Sequence, residues 1–453
     1  MIRSPLQIPE LRAYISLFLP IKDAIACAQV CKEWSKDFTY PIWHTIDFDR
    51  HKKLSELDPE VLEKYGHKIR IIEGVWSYEQ VETVFLAKAT TLKRLCMLVG
   101  ANTHCRERCC DIIQRSLARL QHIELFGLFG YLRDNEELWS VDALSGVTST
   151  LKSSRLSYIR LHGMKTSRDT FLTLLRQCPA LNRLYIQDVT LHPGDDNFQH
   201  TSLKCLGAPV AQVFRPDSNS PCSPSLLVHF PNILTWQTWE SPDPLVVSME
   251  VIKNELHRCC PRLNTLYLEM PGHLMAALIT NVPTTLREVA IDYNFITVEV
   301  IQAILRHQET LECIDIIDPK IGFYESEDIP VLEDYFQEPG SVIQMMPQHC
   351  AQLKQFKFSL HRMDIEDIEK TKWGCGNLED LYLRIDGLDT QETIDQAVQL
   401  WIDAKHRIRS TGPASPSSDS LQEDSSLAAR VARHLLKFPK LRSVWLGNGV
   451  KTA

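Results

Sequence analysis

No apolar run in this sequence reaches the ~18 residues that a membrane-spanning helix requires. The opening residues, MIRSPLQIPELRAY, hold no apolar stretch of the kind a secretory leader needs, so no export signal is expected. An excess of positive charge is also missing. Lys and Arg number 49 against 57 Asp and Glu, a net charge of −8, which argues against nucleic-acid backbone binding as the main task. No Walker loop, G-x-S-x-G elbow, H-E-x-x-H helix or dinucleotide fingerprint occurs, so no catalytic residue is nominated. The densest metal-like cluster, HCRERCC from His104 to Cys110, lacks a second pair at zinc-site spacing, and neither metal nor cofactor is expected. Cysteine itself is plentiful at 14, but in a reducing compartment these should be thiols, and residence is expected to be cytoplasmic and/or nuclear.

What is present is repetition. With 453 residues, 44% of them hydrophobic, the chain exceeds one ordinary globular domain. CPALNRLYIQ, Cys178 to Gln187, returns 82 positions later as CPRLNTLYLE, Cys260 to Glu269. The pattern apolar, two others, apolar, one other, apolar recurs from Leu92, Leu120, Leu156, Leu181, Leu263, Leu286, Leu311, Leu353, Leu378 and Leu441. Leu203 and Ile233 start partial copies, and HKIRIIEG around Ile69 is a degenerate first one. From Leu92 to Leu378 the starts lie 22 to 42 residues apart. This resembles the leucine-rich repeat of roughly 20–29 residues, with insertions.

Alternation at the last two apolar positions describes a short strand with one face buried. Upstream of it lies a helical stripe, as in Phe171, Leu174 and Leu175 after a Thr166/Asp169 capping-box spacing, or Val81, Val84 and Phe85 after Ser77/Gln80. Pro179, Pro261 and Pro439 are expected to stop the helices. Cys178, Cys260, Cys350 and Cys375 stand three residues before a leading Leu, where Phe230 and Phe438 stand in other copies. A slot shared by Cys and Phe is apolar and buried. It is similar to the cysteine-containing class of leucine-rich repeat, which makes Cys375 core filler and not a reactive thiol.

Residues 8–46 follow a different plan. Leu11, Ile15, Phe18 and Leu19 make one helical face, Pro20 breaks it, Ile25, Ala28 and Cys31 make a second, and Val30, Trp34 and Phe38 recur every fourth residue before Pro41 and Trp43 close the segment. A unit of about forty residues is small for independent folding and leans on the repeats or on a partner. The order Ile-Pro-Glu-Leu, Pro20-Ile-Lys-Asp, Val30-Cys-Lys-x-Trp34 and Pro41-x-Trp43 resembles an F-box, one residue short at its opening if Pro9 is that family's proline.

An F-box followed by leucine-rich repeats is the architecture of substrate receptors of SCF-type cullin–RING ubiquitin ligases, and the style is most similar to fungal members. The resemblance implies an α/β chain: a three-helix F-box over 1–48, then a curved leucine-rich-repeat solenoid over 49–453 with parallel strands on the concave face and helices outside. It implies that Pro9, Leu11, Ile15, Leu19, Pro20, Ile25, Val30, Cys31 and Trp34 face or support a Skp-type adaptor. The solenoid would then hold a protein substrate, and the chemistry would belong to the partners. Neither nucleic acid nor membrane is an expected partner.

On a parallel repeat sheet, the residue between the last two apolar positions points away from the helices. That column reads Cys96, Glu124, Arg160, Tyr185, Gln237, Tyr267, Ala290, Asp315, Lys357, Tyr382 and Trp445. Its mixture of charge and aromatics suits a protein-binding surface, and Glu124, Arg160, Tyr185, Gln237, Tyr267, Asp315, Lys357, Tyr382 and Trp445 are the candidate substrate contacts. Strand-forming tyrosines on a polar sheet would look the same. Three segments interrupt the repeats: an exposed loop over 211–225, an acidic insertion over 318–341 and a low-complexity tract over 410–426. A non-catalytic scaffold or inhibitor, whose N-terminal helices only cap the solenoid, fits the same sequence. The two readings differ on whether residues 8–34 leave an apolar patch exposed. A third reading, an enzyme, has no motif behind it.

Overall fold

The computed structural model describes residues 8–16, 18–99, 103–127, 145–151, 155–192, 197–214, 225–239, 249–283, 286–291, 296–316, 339–411, 425–446 and 449–452. The chain forms two compact units, Met1–Ala208 with Gln212–Pro231, and Pro209–Ala211 with Asn232–Ala453.

In the first unit, helices α1 (Pro9–Ser16), α2 (Ile21–Ala28) and α3 (Lys32–His44) lead directly into a sheet. Its strands are β1 (Thr45–Asp47), β2 (Ile71–Val75), β3 (Arg94–Leu98), β4 (His122–Phe126), β5 (Tyr158–Ser167), β6 (Arg183–His192) and β7 (Cys205–Gly207). They are hydrogen-bonded in sequence order, all parallel. The second unit carries β8 (Thr235–Trp239), β9 (Thr265–Glu269), β10 (Glu288–Ile291), β11 (Cys313–Ile316), β12 (Gln355–Met363), β13 (Asp380–Ile385) and β14 (Ser443–Leu446) in the same parallel order. A last strand, β15 (Gly449–Thr452), turns back antiparallel on β14.

Each repeat builds one strand because its apolar residues share a face. Leu92, Leu120, Leu156, Leu181, Leu263, Leu286, Leu311, Leu353, Leu378 and Leu441 are all fully buried, as are the alternate strand residues that follow them. Truncating one such leucine to alanine costs about 2–5 kcal/mol, since its neighbours belong to a stack that cannot close over the void. The Cys/Phe slot is buried in every copy where it was read: Cys178, Cys260, Cys350, Cys375, Phe230 and Phe438. At Cys178, Cys260, Cys350, Cys375 and Phe438 the slot carbonyl accepts the backbone N–H of the leading Leu at 3.0–3.2 Å, so one turn geometry recurs.

Helix starts follow local chemistry. Ser77 and Gln80 form a reciprocal capping box at the start of helix Tyr78–Leu86. The Thr166/Asp169 reading is corrected: Thr166 is a buried strand residue paired with Leu191, and the cap is Ser167, whose hydroxyl accepts from the Thr170 N–H. Pro41 does not end its helix either; α3 continues to His44. Residues 211–214 of the first interrupting segment belong to a short helix (Val210–Phe214) with Val213 and Phe214 buried. Residues 215–224 of that segment, most of 318–341 and residues 412–424 lie outside the described residues, while Ser225 is described and buried. No described helix is long and apolar enough to cross a membrane.

Candidate functional site

Two surfaces can be built up from their residues. The first is the N-terminal helical unit, where the polarity of α1 runs opposite to that of an ordinary surface helix. Its buried residues are Arg12 (5% exposed) and Ser16, while Leu11 and Tyr14 face outward and Ile15 is half-buried. Arg12 Nε donates to Asp37 Oδ2 on α3 at 2.6 Å, and the Ser16 hydroxyl donates to the Ala13 carbonyl at 2.7 Å. Turning the polar edge inward leaves Tyr14 at 62% and Phe18 at 70% exposed, their rings edge to face at 5.0 Å. Ile8, Leu11, Ile21, Ile25 and Val30 (63%) are exposed beside them in sequence. Seven of the seventeen exposed large hydrophobics among the described residues thus fall between positions 8 and 30.

None of the nine adaptor candidates is buried. Pro9, Leu11, Pro20, Ile25, Val30 and Cys31 are exposed; Ile15, Leu19 and Trp34 are half-buried. Cys31 is the N-cap of α3, its sulfur accepting from the Trp34 N–H at 3.5 Å, and Trp34 stacks on the buried Phe38 at 5.4 Å. The sequence reading missed Tyr14 and Ile21, and it missed Arg12 as the residue that fixes α1. The available signal was the i,i+4 pair Arg12/Ser16 on the side of α1 opposite Tyr14. By contrast α3 packs conventionally: Phe38 is buried and Trp43 stacks on Tyr65 of helix Pro59–Gly66 at 4.7 Å.

The second surface is the sheet face opposite the helices. The structure brings the predicted column into register within each unit: Cys96, Glu124, Arg160 and Tyr185 on β3 to β6, then Gln237, Tyr267, Ala290, Asp315, Lys357, Tyr382 and Trp445 on β8 to β14. Gly207 continues the first set and was not read from the sequence. A side chain there would overlap the Tyr185 ring, which occupies the space.

Glu124 is the centre of the first unit's face. It is buried, with His122 Nε2 at 2.7 Å, Arg94 Nη2 at 3.1 Å and Arg160 Nη1 at 3.8 Å. Burial pushes its carboxyl up, but the His122 hydrogen bond and the charges of His122, Arg94 and Arg160 outweigh this and hold it below the usual range. The His122 ring stacks on Tyr158 at 3.8 Å, and Tyr158 on Tyr185 at 5.3 Å. Burial and a contact with Cys205 raise the Tyr185 phenol, so it stays protonated. In the second unit the Tyr267 hydroxyl donates to Glu288 at 2.8 Å, Lys357 pairs with Asp315 at 2.8 Å, and the exposed Trp445 meets Tyr382 edge to face at 5.5 Å. The face thus presents satisfied polar groups between aromatic rings.

The cysteines of HCRERCC sit on helix Thr103–Ser116, with Cys105 and Cys109 packed inward. Cys375 is fully buried, and burial pushes its thiol up to about 12.

A leading leucine, a buried Cys or Phe slot and one parallel strand recur in register through both units. The fold of both units is the leucine-rich repeat. No family model matches the sequence, and no curated protein matches it. Among solved structures, the leucine-rich-repeat-containing protein LegL7 from Legionella pneumophila aligns at 11% identity with a TM-score of 0.33, covering 58% of this chain and 89% of that one. The TLR13–ssRNA13 complex aligns at 11% identity with a TM-score of 0.35, covering 73% of this chain and 51% of the TLR13 chain.

Proposed function

We propose that this chain is a non-catalytic substrate-recognition subunit of an SCF-type ubiquitin ligase, binding a Skp-type adaptor through α1 and α2 and a protein substrate through the repeat face. The observation that carries the reading is the reversed polarity of α1. A helix that buries Arg12 and Ser16 and exposes Leu11, Tyr14 and, just beyond its end, Phe18 keeps an apolar face for another protein. The resemblance of residues 8–46 to an F-box names that protein. A helical unit that served only to seal the first strand would turn its apolar residues onto it. Here α3 leads directly into β1, buries Phe38 and stacks Trp43 on Tyr65, while α1 and α2 leave Leu11, Tyr14, Ile21 and Ile25 exposed for a partner. The role in ubiquitin transfer is positioning: holding a substrate lysine at high local concentration near a charged conjugating enzyme.

The test is co-purification of the full chain with the Skp-type adaptor of its own organism, beside a Leu11→Asp/Ile25→Asp variant. Both side chains are exposed, so folding stability should move by under about 0.5 kcal/mol per site. A stoichiometric complex with the parent chain and none with the variant supports the reading. A parent chain that stays monomeric in the presence of adaptor overturns it.

A further inference from the structure

The residues just before the strands of the first unit carry an unbalanced charge. Backbone ladders align these entries: Arg70 O accepts from Lys93 N, Lys93 O from Gln121 N, Gln121 O from Ser157 N, Ser157 O from Asn182 N, and Asn182 O from Lys204 N, all at 2.7–3.0 Å. Entry segments 66–70, 90–94, 117–122, 155–158, 180–183 and 202–205 contain no Asp or Glu. Each contributes a cation at the ladder or within two residues of it: Arg70, Lys93 and Lys204 on it, Arg119 and Arg155 two residues before it, and Arg183 one residue after it; Lys68 and Arg94 lie in the same segments, Arg94 paired with Glu73 and Glu124. Lys93, Arg119, Arg155, Arg183 and Lys204 are exposed and Arg70 half-buried, and among the described residues none of the six is in an ion pair. Arg70 instead donates to the carbonyls of His67 and Ile69 and to the Thr91 hydroxyl.

The second unit is built differently at the same positions. There Glu312 lies between Arg287 at 3.5 Å and Lys354 at 2.6 Å, and Glu379 pairs with Arg442 at 3.4 Å, so the entry charges cancel along the ladder. The positive field of the first unit reaches its neighbours: His44 is pushed down by burial and by the charges of Arg70 and Lys93. Adjacent strands lie about 4.8 Å apart, so six entries make a stripe about 24 Å long. Its charges sit closer together than the ~10 Å screening length at 0.1 M salt and act jointly.

We propose that this stripe is the docking surface for an extended acidic segment, rich in Asp or Glu, of a partner protein. A stripe of that length matches about eight extended residues at ~3.3 Å each. Charge complementarity favours a peptide over nucleic acid, because the net charge of −8 repels a long polyanion while a short segment meets only the local stripe. The proposal rests on reading the repeats as protein-binding and is independent of the adaptor role of α1 and α2.

The experiment measures fluorescence anisotropy of a labelled Glu-Ser repeat peptide of about ten residues, long enough to cover the stripe, against the full chain in low salt. The same titration is run with Lys93→Glu/Arg155→Glu/Arg183→Glu, with Arg262→Glu/Lys440→Glu at strand entries of the second unit, and with a single-stranded RNA of equal length. The expected result is peptide binding by the parent chain that weakens as salt rises, a loss of about tenfold or more in the triple variant, and none in the second-unit variant. Circular dichroism of the triple variant checks that its fold is retained. No peptide binding by the parent, equal binding by the folded triple variant, or tighter binding of the RNA each overturns the proposal. Adaptor co-purification is read on the same triple variant, and its outcome separates a failure of the adaptor reading from a failure of this one.

Discussion

Replacing His434 by leucine should make the protein both more stable at neutral pH and less sensitive to acid. His434 lies on helix Leu427–Leu436, 4% exposed, edge to face with Trp373 at 4.9 Å and Phe438 at 5.4 Å. Among the described residues, neither of its ring nitrogens has a hydrogen-bond partner. Burial, reinforced by Lys437 and opposed by Glu369, pushes its pKa down from 6.5 to about 3. The folded state therefore refuses a proton that the unfolded chain accepts below 6.5. Stability from this site is intact above pH 6.5 and is lost as pH falls toward 3. At about 1.36 kcal/mol per pH unit, the loss reaches about 3 kcal/mol near pH 4.5 and about 4 kcal/mol by pH 3. Against total stabilities of about 5–15 kcal/mol, that is a large share. At neutral pH the leucine variant also removes two unsatisfied buried nitrogens and should gain about 1–3 kcal/mol. Urea denaturation followed by circular dichroism, at about pH 7 and about pH 4.5, measures both effects. Carboxylates titrate equally in the two proteins, so the difference isolates the imidazole. Parallel losses in parent and variant, or a variant weaker at pH 7, would refute the reasoning.

Two further outcomes are expected. Arg12→Ala removes the α1 partner of Asp37 on α3 and should destabilise the N-terminal unit by about 2–3 kcal/mol, read as faster protease cleavage within α1; unchanged protection would count against the ion pair as its anchor. Under native conditions at about pH 8, iodoacetamide should modify the exposed Cys31 well before the fully buried Cys350 and Cys375, whose thiols burial pushes up to about 12; mass spectrometry showing comparable rates would contradict the burial of the repeat slot.

The repeat was legible because its information is periodic and local. A leucine that recurs with a fixed offset to a Cys or Phe declares both its strand and its buried face, and the column from Cys96 to Trp445 follows from alternation alone. Where two local preferences competed, the pattern fell short. Thr166 is an acceptable helix cap, but pairing with Leu191 claims it for β5, and the cap moves to Ser167. The strand β1 was invisible because Thr45–Asp47 offers three residues and no preceding leucine; its pairing with β2 makes it a strand. The orientation of α1 was hidden for a different reason. Apolar periodicity marks a stripe without saying whether the stripe faces in or out, and that is decided by Arg12 finding Asp37 twenty-five residues later. Likewise, a cation near each strand entry reads as ordinary surface until the backbone ladder brings the entries together, with Arg70, Lys93 and Lys204 on it and Arg119, Arg155 and Arg183 within two residues of it.

The lock between Arg12 and Asp37 bears on kinetics as well as on architecture. It fixes the roll of α1 about its own axis before any partner arrives, so the outward residues need not be ordered during encounter. A disordered segment carrying the same side chains would give up several kcal/mol of binding energy in folding. A helix already anchored by a charged hydrogen bond at its back keeps that energy for the complex. On the adaptor reading, tightness at this surface would be set partly by a pair of residues at the back of the helix, Arg12 and Asp37.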